Sequence, residues 1–114
     1  MRASITKAVV VIMLSMAAAS AQTPPVAKVR VFADGSFELN GRKTSAAALD
    51  EALKAHAARS GVVWYYRENP LAEPHPNADI VVQAIIRHRL PVSMSTQPDF
   101  SDYVDENRVS RPRK

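Results

Sequence analysis

The clearest pattern along the chain is an alternation of apolar and polar residues on both sides of Asp34-Gly35. Val29 and Val31 precede this pair, and Phe37 and Leu39 follow it. One charged residue lies between the two valines, and another lies between Phe37 and Leu39. A three-residue loop with the glycine in the left-handed region pairs Val31 with Phe37 and Val29 with Leu39, so that all four side chains share one face. A two-residue turn would instead place apolar and charged side chains together on each face of the hairpin. The pattern therefore predicts a β-hairpin in the first of these registers.

Two later stretches have the period of amphipathic helices. The first extends from a Thr44 or Ser45 cap to about Arg59, and the second extends from Ala78 to Arg89 after an Asn77 cap. Their apolar stripes contain Leu49, Ala52, Leu53 and Ala57 in the first and Val81, Val82, Ile85 and Ile86 in the second. We expect these two stripes to face a common core.

Two short runs rich in β-branched residues predict further strands: a central strand over Val62–Arg67 and a half-buried last strand over Val92–Thr96. A helix between two strands favours a right-handed crossover and parallel neighbours. Two crossovers of one hand place both helices on the same side of the sheet. The sequence therefore predicts an α+β fold, a two-layer sandwich in which a mixed β-β-α-β-α-β sheet carries both helices on one face.

The first 21 residues have the pattern of a secretory signal peptide. Arg2 and Lys7 precede an apolar stretch of about a dozen residues, too short to cross about 30 Å of hydrocarbon comfortably, and Ala19-Ser20-Ala21 supplies the small residues of a cleavage site. We expect residues 1–21 to be cleaved and the product to be periplasmic or secreted. The alternative is an uncleaved segment that anchors the chain in the inner membrane.

The remainder is long enough for one domain and too short for two. Residues 22–27 form a Pro-containing lead-in, residues 28–100 form the α+β domain, and residues 101–114 form a polar tail that we expect to be disordered. The chain has no cysteine, which excludes disulfides, thiolate nucleophiles and Cys-ligated metals. Its net charge of +4 comes partly from the signal segment and the tail, and an exported protein has little access to nucleic acid, so we expect no nucleic-acid partner.

This arrangement resembles the periplasmic domain of the ExbD/TolR family of biopolymer-transport proteins. The resemblance covers about residues 28–98, and the segments that carry it are Val29–Gly41, Ser45–Leu53, Ala78–Ile86 and Val92–Pro98. It implies the sandwich fold and the role of a membrane-anchored subunit in a proton-driven motor. It also implies a periplasmic domain that forms a homodimer and contacts a partner protein or the peptidoglycan of the cell wall.

The chain departs from this family at the residue type that proton passage requires. The family's transmembrane helix carries an acidic residue, whereas residues 8–21 contain no Asp or Glu. We therefore expect a non-enzymatic periplasmic binding or accessory module that has kept the binding scaffold without the motor. The alternative is a divergent, membrane-anchored biopolymer-transport subunit coupled to a proton-driven motor, and only an uncleaved N-terminal segment would bring it to a membrane.

The candidate binding residues lie on the two later strands. A period of two places Trp64 and Tyr66 on one face of the sheet and Tyr65 on the other, so that at least one ring is expected on the face without helices. Such a ring, rimmed by Arg67, would stack on a sugar or pack on a partner protein. Alternatively, all three rings are core. Met94 is the further candidate, because it lies in a strand that could offer a free edge.

A free sheet edge is the expected route to a partner or a second copy, because unpaired backbone groups accept another strand. Thr23–Lys28 and Val92–Thr96 are the two segments that could supply this edge.

The sequence contains no catalytic constellation that we recognise. The three histidines, His56, His75 and His88, lack metal-ligand spacing, and no nucleophile elbow or phosphate loop is present. We therefore expect no enzymatic activity, no metal and no cofactor. A small hydrolase or inhibitor with an active loop over Glu68–Pro76, which contains Glu73, is the third possibility.

Overall fold

The computed structural model of the protein describes residues 23–113. The elements in chain order are β1 (Val26–Val31), β2 (Phe37–Leu39), β3 (Arg42–Lys43), α1 (Ala46–Ala58), β4 (Val62–Arg67), α2 (Pro76–Arg87), β5 (Val92–Ser95), β6 (Asp102–Val104) and β7 (Ser110–Pro112). None of the helices in this part of the chain is long and apolar enough to cross a membrane. The expected signal peptide, residues 1–21, lies outside the described residues.

The fold is α+β, with two helices, a mixed five-stranded sheet and a second, two-stranded sheet. The large sheet has the strand order β3-β2-β1-β4-β5, in which β1, β4 and β5 are parallel and β2 and β3 are antiparallel to their neighbours. The predicted hairpin register is confirmed, because Val31 lies opposite Phe37 and Val29 lies opposite Leu39. The loop closes with Gly35 at a φ of 91°, as the three-residue turn requires.

Both helices pack on one face of the large sheet and against each other. The apolar face of the hairpin and alternate residues of β4 meet the two helices in one core. The predicted stripes face this core except at Ile86, which is 59% exposed because it lies beyond the edge of the buried side of α2. The fully buried side chains of the core are Val29, Val31, Leu49, Leu53, Val63 and Val81. Burial of this face stabilises the domain because it removes apolar area from water at roughly 25 cal/mol per Å².

The helix ends differ slightly from the prediction. Ser45 caps α1 through its Oγ, which accepts from the Ala48 N–H at 3.1 Å. α2 begins at Pro76, earlier than predicted, and its N-cap is His75. The Nδ1 atom of His75 accepts from the Asn77 N–H at 3.1 Å, an uncommon ring substitute for the usual side-chain oxygen. Proline is favoured at this first helical position because its missing N–H would have no partner there.

The C-terminal end differs from the sequence prediction, because residues 102–112 form an antiparallel hairpin instead of a disordered tail. The hairpin is tied to the main sheet by Asp102, which is 7% exposed. The Asp102 carboxylate accepts from the Thr96 N–H at 2.9 Å, the Thr96 hydroxyl at 2.6 Å and the Ser110 hydroxyl at 2.7 Å. These side-chain hydrogen bonds join residues six and eight positions apart and leave no mark on local composition, so the polar composition alone predicts an unstructured tail.

The lead-in also differs from the prediction. Val26 and Ala27 already belong to β1, which lies inside the sheet between β2 and β4. Thr23–Lys28 therefore does not supply a sheet edge.

Candidate functional site

The sheet separates the five predicted site residues into two groups. Tyr65, Arg67 and Met94 line a groove on the helical side, whereas Trp64 lies on the opposite face. Tyr66 shares the face of Trp64, because alternate residues of a strand point the same way. Strand periodicity thus predicted the two faces, and the structure does not bring the five residues together into one site.

The ring of Trp64 is covered by the C-terminal segment. The guanidinium of Arg113 lies 3.9 Å from the centre of the Trp64 ring, and the Phe100 ring lies 6.4 Å from it. Phe100 itself is 3% exposed, although it follows the last strand of the main sheet. The aromatic surface that the sequence suggested for a sugar or a partner is therefore occupied around Trp64 by the chain's own residues.

Arg113 holds this segment through several hydrogen bonds. Its Nε donates to the Phe100 carbonyl at 3.0 Å, and its two terminal nitrogens donate to the hydroxyls of Ser93 at 3.1 Å and Ser95 at 2.8 Å. Burial lowers the pKa of Arg113, but the group stays charged at neutral pH. Together with stacking on Trp64, these bonds join the C-terminal strand to β5.

The carboxyl of Asp102 completes the attachment. Burial opposes its ionisation, but hydrogen bonds from Thr96, Ser110 and Gln97 outweigh that effect and lower the pKa of Asp102. These roles of Phe100, Asp102 and Arg113 are not predicted by the sequence pattern. The signal that could have found them is Phe100, an isolated aromatic residue directly before the polar tail, which a buried position explains.

On the helical side, β4, β5 and the start of α2 enclose a groove of about 320 Å³. We call it the Tyr65 groove and define it by Tyr65, Arg67, Pro76, Asp79, Val82 and Met94. The Tyr65 side chain forms its buried wall, and burial raises the pKa of the Tyr65 hydroxyl against the opposing charge of Arg67. The hydroxyl therefore keeps its proton at neutral pH.

Arg67 ends β4 and supports the loop that follows it. Its two terminal nitrogens donate to the carbonyls of Pro70 at 2.7 Å and Ala72 at 3.2 Å. The predicted role of Arg67 as the rim of an aromatic surface on the face without helices is not seen, because Arg67 lies on the helical side with Tyr65. It is placed instead at one end of the Tyr65 groove.

β5 forms one edge of the large sheet as far as the structure describes it. Val63 donates its N–H to the Pro91 carbonyl at 2.9 Å, so the backbone groups of Pro91 and Ser93 point toward β4. Those of Val92 and Met94 consequently point to the outer side. Their side chains are 48% and 45% exposed, and together they form an apolar strip along this edge.

The opposite edge is formed by β3, which has two residues, Arg42 and Lys43, both exposed. A very short, charged edge strand discourages pairing with another strand. The two edges of the large sheet thus differ in length and polarity.

The three histidines have structural roles in the described residues. His56 contacts the Val62 carbonyl through Nε2 at 2.8 Å, and His75 caps α2. His88 contacts Asp50 between the helices at 2.9 Å, and this contact is the main cause of the lowered pKa of Asp50. Between Thr23 and Arg113 no group of three or more His, Asp and Glu side chains could hold a metal ion.

The loop between β4 and α2 folds against the β1–β2 turn. Glu68 accepts from the Ala33 N–H at 2.8 Å, and Asn77 donates to the Gly35 carbonyl at 2.8 Å. Glu73 and His75 line a small cavity of about 170 Å³ under this loop. The His75 ring is engaged as a cap, so its Nδ1 atom is committed to the backbone rather than to proton transfer.

No family model and no curated protein matches the chain. Two surfaces of the described residues are open to a partner or ligand, the β5 edge and the Tyr65 groove.

Proposed function

We propose that the protein is a non-enzymatic binding or accessory module that acts in the periplasm or outside the cell by contact with another protein. The observation that carries the proposal is the β5 edge, with its outward backbone groups and the exposed side chains of Val92 and Met94. An extended segment that pairs with this edge would satisfy the backbone groups and cover the apolar strip.

The contrast between the two edges supports this choice. β3 is short and charged, which discourages pairing, whereas β5 has twice as many residues and exposes apolar side chains. An exposed apolar edge is retained at a risk of aggregation, so a partner that covers it is the simplest physical reason for it.

The ExbD/TolR resemblance points to the same mode of action. A mixed sheet with two helices is compatible with the periplasmic domain of that family, and the resemblance implies a homodimer and a protein or peptidoglycan partner. We extend to this chain only the binding role, because residues 8–21 lack the acidic residue of the motor subunit. N-terminal sequencing of the exported product tests the location: a start at Gln22 is expected, and a retained Met1 contradicts it.

The edge itself is tested by Met94→Pro, which removes one outward N–H while leaving the bonds of Ser93 to β4 in place. The matched control is Lys43→Pro. Thr44 donates its N–H to the Phe37 carbonyl at 3.2 Å, so Lys43 points its backbone groups outward from the opposite edge.

Analytical ultracentrifugation measures self-association of the wild type and both variants, and circular dichroism checks that each is folded. We expect Met94→Pro to weaken self-association at least tenfold and Lys43→Pro to leave it unchanged. A folded Met94→Pro protein that associates like the wild type would remove β5 as the interface. A wild type that stays monomeric at millimolar concentration would remove the homodimer from the proposal.

A further inference from the structure

The hydroxyl of Tyr65 is a polar group without a partner in the described part of the chain. Its side chain is 3% exposed, yet no hydrogen bond to its hydroxyl is present within residues 23–113. The oxygen is not sealed from solvent, because no fully buried polar side-chain atom lacks a partner among these residues. Since Tyr65 lines the groove, its hydroxyl opens into it. A buried tyrosine normally finds a hydrogen-bond partner for this group.

Arg67 brings an uncompensated positive charge to the same groove. The two acceptors of its guanidinium are neutral carbonyls, those of Pro70 and Ala72. No carboxylate lies within 4.0 Å of Arg67 in residues 23–113. A guanidinium has five N–H donors, so three of them remain after these two bonds. Arg67 and Tyr65 line the same groove.

The rest of the groove is mainly apolar. Val82 and Met94 line it, together with Pro76 and Ala78 from the first turn of α2. The N-terminal turn of a twelve-residue helix adds a favourable field for negative charge. Asp79, which is exposed on the same turn, is the one groove residue whose negative charge would repel an anion.

We propose that the Tyr65 groove binds a carboxylate that carries an apolar group of about the size of a leucine side chain. The carboxylate accepts hydrogen bonds from the Tyr65 hydroxyl and from a remaining N–H of Arg67, and the apolar group packs between Val82 and Met94. A groove of about 320 Å³ accommodates such a molecule. The groove shares the Met94 side chain with the β5 edge, but binding of the carboxylate by Tyr65 and Arg67 does not require a strand paired with β5.

The proposal is tested by binding of 4-methylpentanoate to the ¹⁵N-labelled protein at pH 7, followed by two-dimensional NMR. The neutral isostere 4-methylpentanamide and the amine 3-methylbutylamine serve as comparison probes. We expect the acid alone to shift the amide signals of Ala78, Val82 and Met94 at low millimolar concentration. Equal binding of the acid and the amide would overturn the role of charge, and no shift with the acid at 20 mM would overturn the site.

Tyr65→Phe removes the hydroxyl and keeps the ring, so the core remains filled. We expect it to weaken binding of the acid about tenfold, which is typical of a hydrogen bond to a charged group. Tyr66→Phe is the matched control on the opposite face and should change nothing. Asp79→Asn should strengthen binding, because it removes the only negative charge we assign to the groove. An unchanged affinity in Tyr65→Phe would contradict the proposal.

Two sources of this chemistry are separated by one further probe, N-acetyl-alanyl-leucine. Tighter binding of this dipeptide than of 4-methylpentanoate would identify the C-terminus of a peptide as the ligand. Tighter binding of the small acid would identify a free carboxylic acid. If neither binds, the proposal is wrong, and the result leaves the β5 edge to be judged by its own experiment.

Discussion

Replacing Arg113 by alanine should release the C-terminal segment from the main sheet. The guanidinium stacks on Trp64 at 3.9 Å and bonds to the Phe100 carbonyl, and its remaining bonds reach the hydroxyls of Ser93 and Ser95. All of these contacts join the last strand to residues that are at least thirteen positions away along the chain. The other contacts of the segment with the main sheet, those of Phe100 and Asp102, lie at its beginning and leave its end held by Arg113.

The magnitude follows from these contacts. A cation over a tryptophan ring contributes about 0.5–2 kcal/mol, depending on how far it is removed from water. Each partly exposed hydrogen bond contributes about 0.5–1 kcal/mol net. Because Arg113 remains partly accessible and its bonds are coupled, we take the lower part of these ranges. We expect Arg113→Ala to weaken the attachment of the C-terminal segment to the main sheet by about 2 kcal/mol. Phe100 stays available as an apolar anchor, so the segment should become more mobile without unfolding the domain.

The assay is the fluorescence of Trp64, which is the only tryptophan of the protein. Loss of the covering guanidinium exposes the indole to water, so the emission should shift to longer wavelength. Hydrogen exchange should accelerate in residues 97–113 and stay unchanged in α1 and α2.

The matched control is Arg111→Ala. Arg111 lies two residues earlier, and its Nε bonds to Asp105 within the hairpin at 2.9 Å, away from the Trp64 ring. It should leave both the emission of Trp64 and the exchange at Phe100 unchanged. If Arg113→Ala and Arg111→Ala behave alike, the attachment of the hairpin does not depend on the stacked guanidinium.

Two further predictions concern the stability of local contacts. Because the pKa of Asp102 is lowered in the folded protein, its carboxylate stabilises the hairpin at pH values above the unfolded pKa of about 3.8, and this stabilisation is lost as the pH falls through the folded pKa. The hairpin should therefore detach in acid, which Trp64 emission would follow. Asp102→Asn should abolish this pH dependence, and an acid transition that persists in the variant would show that another group causes it. Gly35→Ala should lower the free energy of unfolding, measured by chemical denaturation, by about 2–3 kcal/mol, because Gly35 has a φ of 91° and a new Cβ would lie 2.5 Å from the His75 ring. Gly41 also has a positive φ, but a Cβ there would meet no other atom within 4 Å. An equal loss of stability in Gly35→Ala and Gly41→Ala would therefore show that the His75 contact is unimportant.

Several elements could be predicted from the sequence because their signals are local. The alternation around Asp34-Gly35 specified the hairpin register, since a shift by one residue would have moved its apolar side chains to the solvent face. The stripes of α1 and α2 likewise predicted most of the buried side of each helix, whereas Ile86, assigned to the α2 stripe, is exposed. The N-cap of α2 was misplaced, because a histidine ring that accepts from a backbone N–H is rare in sequence statistics.

The candidate site was predicted only in part. The two-residue period of a strand correctly placed Trp64 and Tyr65 on opposite faces of the sheet. It could not show that Phe100 and Arg113 cover the Trp64 ring. Nor could it show that Tyr65, Arg67 and Met94 meet in a groove with the first turn of α2. These contacts join segments that are separated by many residues, and no periodicity connects them.

The amino-acid sequence by itself thus determined the two helices, the four longer strands of the main sheet (β1, β2, β4 and β5), the faces of those strands and the hairpin register, because each depends on residues that are close along the chain. Only the tertiary structure decided that β1 is internal, that β5 is an edge and that the polar C-terminal segment folds over Trp64. The physical reason is that a hydrogen bond or stacked ring between distant segments gains its free energy only after the whole chain has brought its partners together.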